Sequence, residues 1–289
     1  MNGVLNILKP PGMTSHDVVA FVRRTLGIKK VGHTGTLDPG AAGVLPICIG
    51  KSTKIVEYLM DDKKIYICEV TFGNKTDTYD KYGNLLYEND KDCSKLNYNS
   101  LQKVITEFKG KINQKPPIYS AVKINGVRAY DLARRGETVD IKERTVEIFN
   151  IEIIKVDSPK AMLKIECSKG TYIRSLCNDI GEKLGCGAYM SFLIRTATGK
   201  FSLANSHTLE EISQQMSDTF IVEPDFALEM QSVYIDDVYT SKLLNGNSIV
   251  YKDNGVLKNT LVKIYIKPDR FIGIGRINNG ILSVEKLLV

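Results

Sequence analysis

The residues best placed to do chemistry lie in Gly32-His33-Thr34-Gly35-Thr36-Leu37-Asp38-Pro39-Gly40-Ala41-Ala42-Gly43. Four glycines and a proline in twelve residues exclude a regular helix or central strand. They build a loop whose backbone can approach a ligand closely. Asp38 can be held rigidly in such a loop, with Pro39 fixing the backbone just beyond it. On the residues alone, an Asp-Pro turn whose carboxylate satisfies local amides fits as well as a reactive acid.

Other constellations carry less. Gly50-Lys51-Ser52 hints at a phosphate loop, but the required earlier glycine would fall at Leu45, so an ATPase reading is set aside. Ser15, His16 and Asp17 are adjacent, and neighbours on a helix point apart, so they read as a helix cap rather than a triad. His16, His33 and His207 lack metal-ligand spacing. The six cysteines form no C-x-x-C pair and sit in apolar runs; they read as buried, reduced thiols in a metal-free protein.

The elements around these residues follow from periodicity. Thr14 to Asp17 resembles a capping box, Val18, Val19, Val22 and Leu26 form one stripe, and Gly27 supplies a stop. From Ile65 to Phe72, Tyr66, Cys68, Val70 and Phe72 share a strand face. Leu101, Val104, Ile105 and Phe108 have helical spacing closed by Gly110. Strand-like runs cover 146–156 and 161–168, and a helix over 171–184 turns Ile173, Leu176, Cys177, Ile180 and Leu184 inward. Strands and helices mix without βαβ alternation, so the fold class expected is α+β. From about Tyr234 the chain is β-rich and punctuated by Asn245-Gly246, Asn254-Gly255 and Asn279-Gly280, which are hairpin signals for a small barrel or sandwich. The acidic stretch from Glu210 to Asp237 holds the expected junction, giving domains 1–232 and 233–289.

With 43% hydrophobic and 25% charged residues, the chain has the composition of a globular protein. No apolar run approaches the roughly 18 residues of a membrane span. Met1 to Gly12 reaches Lys9 and two prolines too early for a signal peptide, so a cytoplasmic protein is expected. The net charge is +6, unevenly spread. Residues 101–144 carry ten Lys/Arg against five Asp/Glu, residues 242–289 eight against three, and the remainder is acidic on balance. Two basic zones fit a polyanion touched at two places, and equally fit two solvated lysine-rich faces.

Gly32-His33-Thr34-Gly35-x-Leu37-Asp38-Pro39-x-Ala41-x-Gly43 resembles the catalytic motif of the bacterial tRNA pseudouridine-55 synthase family, TruB. Further motifs follow in that family's order: Lys9-Pro10-x-Gly12, Gly73-x-x-Thr76-x-Thr78-x-Asp80, and Gln114-x-Pro116-Pro117-x-Tyr119-Ser120-Ala121-x-Lys123. Ser168-Lys169-Gly170-Thr171-Tyr172-Ile173-Arg174 and Gly185-Cys186-Gly187-Ala188 come next. The likeness spans roughly residues 3 to 205, and the tail resembles the family's PUA module with weaker motifs. Ser52 and Ile194 depart from the family's usual residues, away from Asp38.

The resemblance implies a mostly antiparallel mixed sheet flanked by helices, with a PUA-like barrel appended. It implies Asp38 as nucleophile, Arg174 beside it to keep the carboxylate charged and oriented, and Tyr66 stacked on the target base. It further implies His33 helping to extrude the uridine, with Tyr172 and Leu193 lining the pocket. Lys123, Arg128, Arg134 and Arg135 would meet the T stem-loop of tRNA, and Lys9 and Pro10 would brace the catalytic loop. No cofactor, metal, membrane or protein partner is expected, and a monomer suffices. A tRNA-binding or folding protein is the alternative from another class, and a synthase acting on other RNAs is a third reading.

Overall fold

The computed structural model describes every residue except 61, 89–92, 94, 95, 121, 125, 138, 139 and 252–257, and of Arg134 only the backbone. The first strands are β1 (Gly3–Lys9), β2 (Val31–His33), β3 (Ala42–Ile49), β4 (Lys64–Phe72), β5 (Asn74–Thr76) and β6 (Leu85–Glu88). Then come β7 (Gly110–Gln114), β8 (Lys123–Ile124), β9 (Val127–Arg128), β10 (Arg144–Asp157), β11 (Lys160–Cys167), β12 (Ala188–Thr198), β13 (Phe201–Ser202) and β14 (Ile221–Val222). The tail holds β15 (Gln231–Ile235), β16 (Ile249–Val250), β17 (Thr260–Ile266), β18 (Arg270–Asn278) and β19 (Ile281–Leu287). The α-helices are α1 (Ser15–Leu26), α2 (Val56–Leu59), α3 (Tyr98–Thr106), α4 (Ala129–Arg134), α5 (Ile173–Leu184), α6 (Leu209–Gln214), α7 (Pro224–Ala227) and α8 (Thr240–Leu244).

The large sheet runs β14-β1-β3-β12-β4-β11-β10-β7, with β2 on β3 and β13 on β12. Every pairing in it is antiparallel except β3 with β12, so this is the mixed α+β sheet that the irregular element order requires. On β4, Tyr66, Cys68, Val70 and Phe72 are all buried, as the period of two demands. Burying such side chains stabilises the fold by roughly 1.5–3 kcal/mol each, so the strand cannot slip register cheaply. Helix α1 has the full capping box, with Asp17 N donating to Thr14 Oγ1 at 3.0 Å and Thr14 N to Asp17 Oδ2 at 2.8 Å. Gly27 ends it at φ 64°, a conformation that costs glycine nothing.

The tail forms a five-stranded curled half-barrel, ordered β15-β17-β18-β19-β16. Asn279-Gly280 joins β18 to β19 with both φ values positive, the geometry of a tight hairpin. Asn245-Gly246 does something else. Gly246 (φ 77°) closes α8 by donating its N–H to Leu243 O at 3.0 Å, because the preceding residues found a helical rather than a strand partner. Asn254-Gly255 lies outside the described residues. Ile274 and Leu288 of this half-barrel share an apolar cluster with Val4, Val44 and Cys48 of the large sheet. The acidic stretch before it carries α6, β14, which returns to β1, and α7.

Four cysteines, Cys48, Cys68, Cys167 and Cys177, are buried free thiols as expected. The expectation fails for the other two. Cys93 and Cys186, 93 positions apart with Cα atoms at 6.2 Å, are joined as a disulfide. Packing of the segment before α3 against the end of α5 creates this proximity, and no sequence spacing announces it.

Candidate active site

The loop between β2 and β3 puts Asp38 at the edge of the large sheet. Its main chain is a turn: Ala41 N–H donates to Asp38 O at 3.0 Å, with Pro39 and Gly40 at the corner. The carboxylate is not consumed by that turn. Arg174 Nη2 donates to Asp38 Oδ1 at 3.1 Å, and Nε lies 2.8 Å from Oδ2 as an ion-pair contact. The two oxygens thus face two guanidinium nitrogens, which fixes the orientation of the carboxylate. Asp38 remains 36% exposed while Arg174 is only 6% exposed, so the acid points out of a wall that its partner is built into.

Helix α5 and its entry explain why Arg174 is so placed. Tyr172 caps the helix, and Gln114 clamps it by donating Nε2–H to Tyr172 O and accepting from Tyr172 N at 3.0 and 2.8 Å. Arg174 Nη1 also donates to Thr78 O at 3.1 Å and Nη2 to Tyr119 O at 3.0 Å. Asp80 Oδ2 stands 3.5 Å from Nη1. One buried guanidinium therefore ties the Asp38 loop to two other loops. A buried charge left without its partners would cost several kcal/mol, so these contacts hold one another in place.

The loop itself is gripped from beneath. Lys9 is fully buried, and its Nζ donates to Pro10 O, Pro39 O and Ala41 O at 2.8, 3.3 and 2.6 Å. Burial pulls the Lys9 ammonium down to about 8, against a partial pull upward from Asp38. Ser15 Oγ accepts from Leu37 N at 2.9 Å and donates to Leu37 O at 3.2 Å, immediately before Asp38. Arg195, 1% exposed, donates Nε–H to Val44 O at 2.7 Å and Nη2–H to Gly35 O at 3.2 Å, bracketing the loop from the far side. Gly43 is obligatory there: its φ is 117°, and a Cβ would lie 2.6 Å from Arg195 N.

Tyr66 sits on β4 directly across from Arg195 on β12. Its hydroxyl is pushed up by burial, with the Arg195 guanidinium pulling the other way. Leu193 pairs with Cys68 two residues along the same two strands and is buried. His33 ends β2, edge-on to His16 with ring centroids 5.4 Å apart. Burial, then His16 and Arg195, hold it down to about 4, so the imidazole is neutral at pH 7 and its Nδ1 has no protein partner. The Tyr172 hydroxyl is likewise pushed up by burial, and Arg144 lies 5.8 Å over its ring.

The basic residues form a separate group. Lys123 and Arg128 pair across the β8–β9 hairpin, where Arg128 Nη1 donates to Tyr130 Oη at 2.8 Å. Arg135 follows α4 with Glu137 3.8 Å away; the Arg134 side chain lies outside the described residues. The segment leading to this hairpin starts at Tyr119, whose carbonyl holds Arg174. Sequence reasoning read Ser15 as part of a helix cap and gave no site role to Asp80, Gln114, Arg144 or Arg195. Asp80 and Gln114 belong to quoted motifs, so a signal existed; Arg195 carries none beyond a charge in an apolar strand. A cleft of about 590 Å³ lined by Glu57, Tyr58, Glu229 and Leu261 lies elsewhere and contains none of these residues. Among the described residues no His, Cys, Asp and Glu cluster could hold a metal.

The fold is similar to that of a solved Cbf5-Nop10-Gar1 complex, with a TM-score of 0.76 at 28% identity over 99% of this chain and 85% of the other. The α+β sheet and its appended half-barrel are the fold of a pseudouridine synthase, and the family and full-length relatives that match this chain make it one, an isomerase. The profile of the "TruB family pseudouridylate synthase (N terminal domain)" matches residues 23–173. A "tRNA pseudouridylate synthase B C-terminal domain" matches 174–235, and a "Pseudouridine synthase II TruB, C-terminal" matches 232–288. The chain is 50% identical to the tRNA pseudouridine synthase B of Caldanaerobacter subterraneus subsp. tengcongensis, covering 95% of each. It is 47% identical to that of Clostridioides difficile strain 630, covering 99% of this chain and 98% of the relative. The chain belongs to the TruB family.

Proposed function

We propose that the protein isomerises uridine 55 in the T loop of tRNA to pseudouridine, with Asp38 as nucleophile. The observation that carries this reading is the half-exposed Asp38 carboxylate held by the buried Arg174 guanidinium. The reaction breaks N1–C1′ and joins C1′ to C5 of the same uracil; the C5 proton is lost to solvent and the freed N1 takes one up. Electrons and atoms balance without a co-reactant, so no cofactor is needed. The carboxylate assists departure of the base, by an adduct or by stabilising charge. Arg174 holds both of its oxygens in a fixed orientation. Tyr66 stacks on the uracil, and Tyr172 and Leu193 enclose it. His33, uncharged, helps push the nucleotide from its stack, a step that costs a few kcal/mol.

Lys123, Arg128, Arg134 and Arg135 neutralise phosphates of the T stem-loop, and residues 233–289 act as a PUA-like RNA-binding domain beside a catalytic domain of 1–232. The protein works as a cytoplasmic monomer without a protein partner. In a reducing compartment Cys93 and Cys186 would stand as two thiols. No described helix is long and apolar enough to cross a membrane. Asp38→Asn tests the assignment. Turnover on unmodified tRNA should vanish while tRNA affinity stays near wild type; retained turnover, or product mapped outside the T loop by wild type, refutes it.

A further inference from the structure

Tyr82 is an unusual expenditure of an aromatic ring. It is 66% exposed, yet the turn that carries it is tethered by several hydrogen bonds. Asp80 Oδ1 accepts from Tyr82 N at 3.0 Å and from Thr78 Oγ1 at 2.7 Å, while its other oxygen faces Arg174. Lys81 N donates to Met190 O at 3.0 Å. The ring lies against Gly40, two residues beyond Asp38; a Cβ on Gly40 would come within 2.9 Å of Tyr82 Oη and closer to the ring carbons. Lys81 Nζ stands 5.3 Å from the ring centroid.

A water-exposed ring gains little by burial, so its seat against Gly40, two residues from the half-exposed Asp38, points to a ligand face. Extruding one nucleotide from an RNA loop strips its neighbour of a stacking partner. An aromatic surface with a cation beside it supplies both lost interactions, stacking for the base and charge for the phosphate.

We propose that Tyr82 and Lys81 form a stacking subsite for the nucleobase that flanks the extruded uridine, Tyr82 meeting the base and Lys81 its phosphate. The subsite rests on the reading of Asp38 as the centre of an RNA-uridine isomerase and adds to it a second nucleotide position. Tyr82 is a binding residue here, and the reacting atoms do not touch it.

The test compares Tyr82→Phe, Tyr82→Leu and Tyr82→Ala with wild type on an unmodified tRNA, by filter binding and by initial rates, each variant first checked for an unchanged melting temperature. Stacking on one base predicts a rise of about tenfold in Kd and KM for Tyr82→Ala and Tyr82→Leu. The saturating rate should fall by less, and Tyr82→Phe should stay within about twofold of wild type, because the ring is kept. Lys81→Gln should reduce the salt slope of log Kd by about one. Wild-type affinity in Tyr82→Ala overturns the subsite, as does wild-type affinity in Tyr82→Leu, which would show apolar bulk rather than stacking. Equal damage in Tyr82→Phe assigns the effect to the hydroxyl and also overturns it. A wild-type protein that makes no pseudouridine refutes the parent reading instead; the ratio of Kd between Tyr82→Ala and Tyr82→Phe still reads the subsite.

Discussion

Replacing Arg195 by methionine removes a charge that never meets solvent and asks how much of the catalytic loop depends on it. Two buried carbonyls, Val44 O and Gly35 O, would lose charged donors at 2.7 and 3.2 Å. Hydrogen bonds to charged groups contribute about 1.5–3 kcal/mol each, and an unsatisfied buried carbonyl costs a comparable amount. Against that, methionine no longer has to desolvate a guanidinium, which returns several kcal/mol. A net loss of about 2–4 kcal/mol remains, or a fall in Tm of roughly 3–7 °C for a chain of this size. The consequence for chemistry is separate. Arg195 holds both flanks of the loop bearing Asp38 and faces Tyr66 across the sheet, so its loss lets the carboxylate and the Tyr66 ring move independently. A misplacement of about 1 Å costs on the order of 10²-fold in rate. Arg195→Lys keeps the charge but not the fork, and should fall between wild type and Arg195→Met. Thermal denaturation and single-turnover rates at saturating enzyme measure the two effects. An Arg195→Met protein that melts early yet turns over at the wild-type rate below its Tm would refute the claim that this residue positions the loop.

His33 provides a pH signature. Its folded value of about 4 lies below the ordinary 6.5, so between these pH values the unfolded chain binds the extra proton and stability rises with pH across that window. The contribution is at most about 3 kcal/mol; denaturant titrations from pH 4 to 7 should show a flatter acid limb in His33→Gln than in wild type. Neutralising Lys123 and Arg128 together should raise KM and reduce its dependence on salt, with single-turnover chemistry nearly intact. An unchanged KM across ionic strengths would remove these residues from the RNA path.

Much of the chain announced itself without coordinates. The stripe of α1, the alternation of β4, the long pair β10 and β11, and α5 all follow from local periodicity, because each buries one face and the period of that face is set by backbone geometry. The turn at Asp38 was equally legible: Pro39 and Gly40 dictate it whatever the rest of the fold does. What those rules left open was the use of the side chain, since a turn-forming aspartate and a reactive one share the same local sequence.

Only the tertiary structure brings Arg174 from 136 positions away onto both carboxylate oxygens, a pairing that no local rule contains. The same holds for Arg195, which looks like an ordinary strand cation until the parallel pairing of β12 with β3 places it under the loop. Asn245-Gly246 became a helix stop because a dipeptide that tolerates positive φ serves hairpins and helix ends alike, and the flanking partners choose. Cys93 found Cys186 for a reason no spacing encodes: the contact is made by packing between distant segments. Sequence fixes the conformations each stretch can adopt cheaply, whereas the charges and thiols that meet across long separations are selected by how those stretches pack.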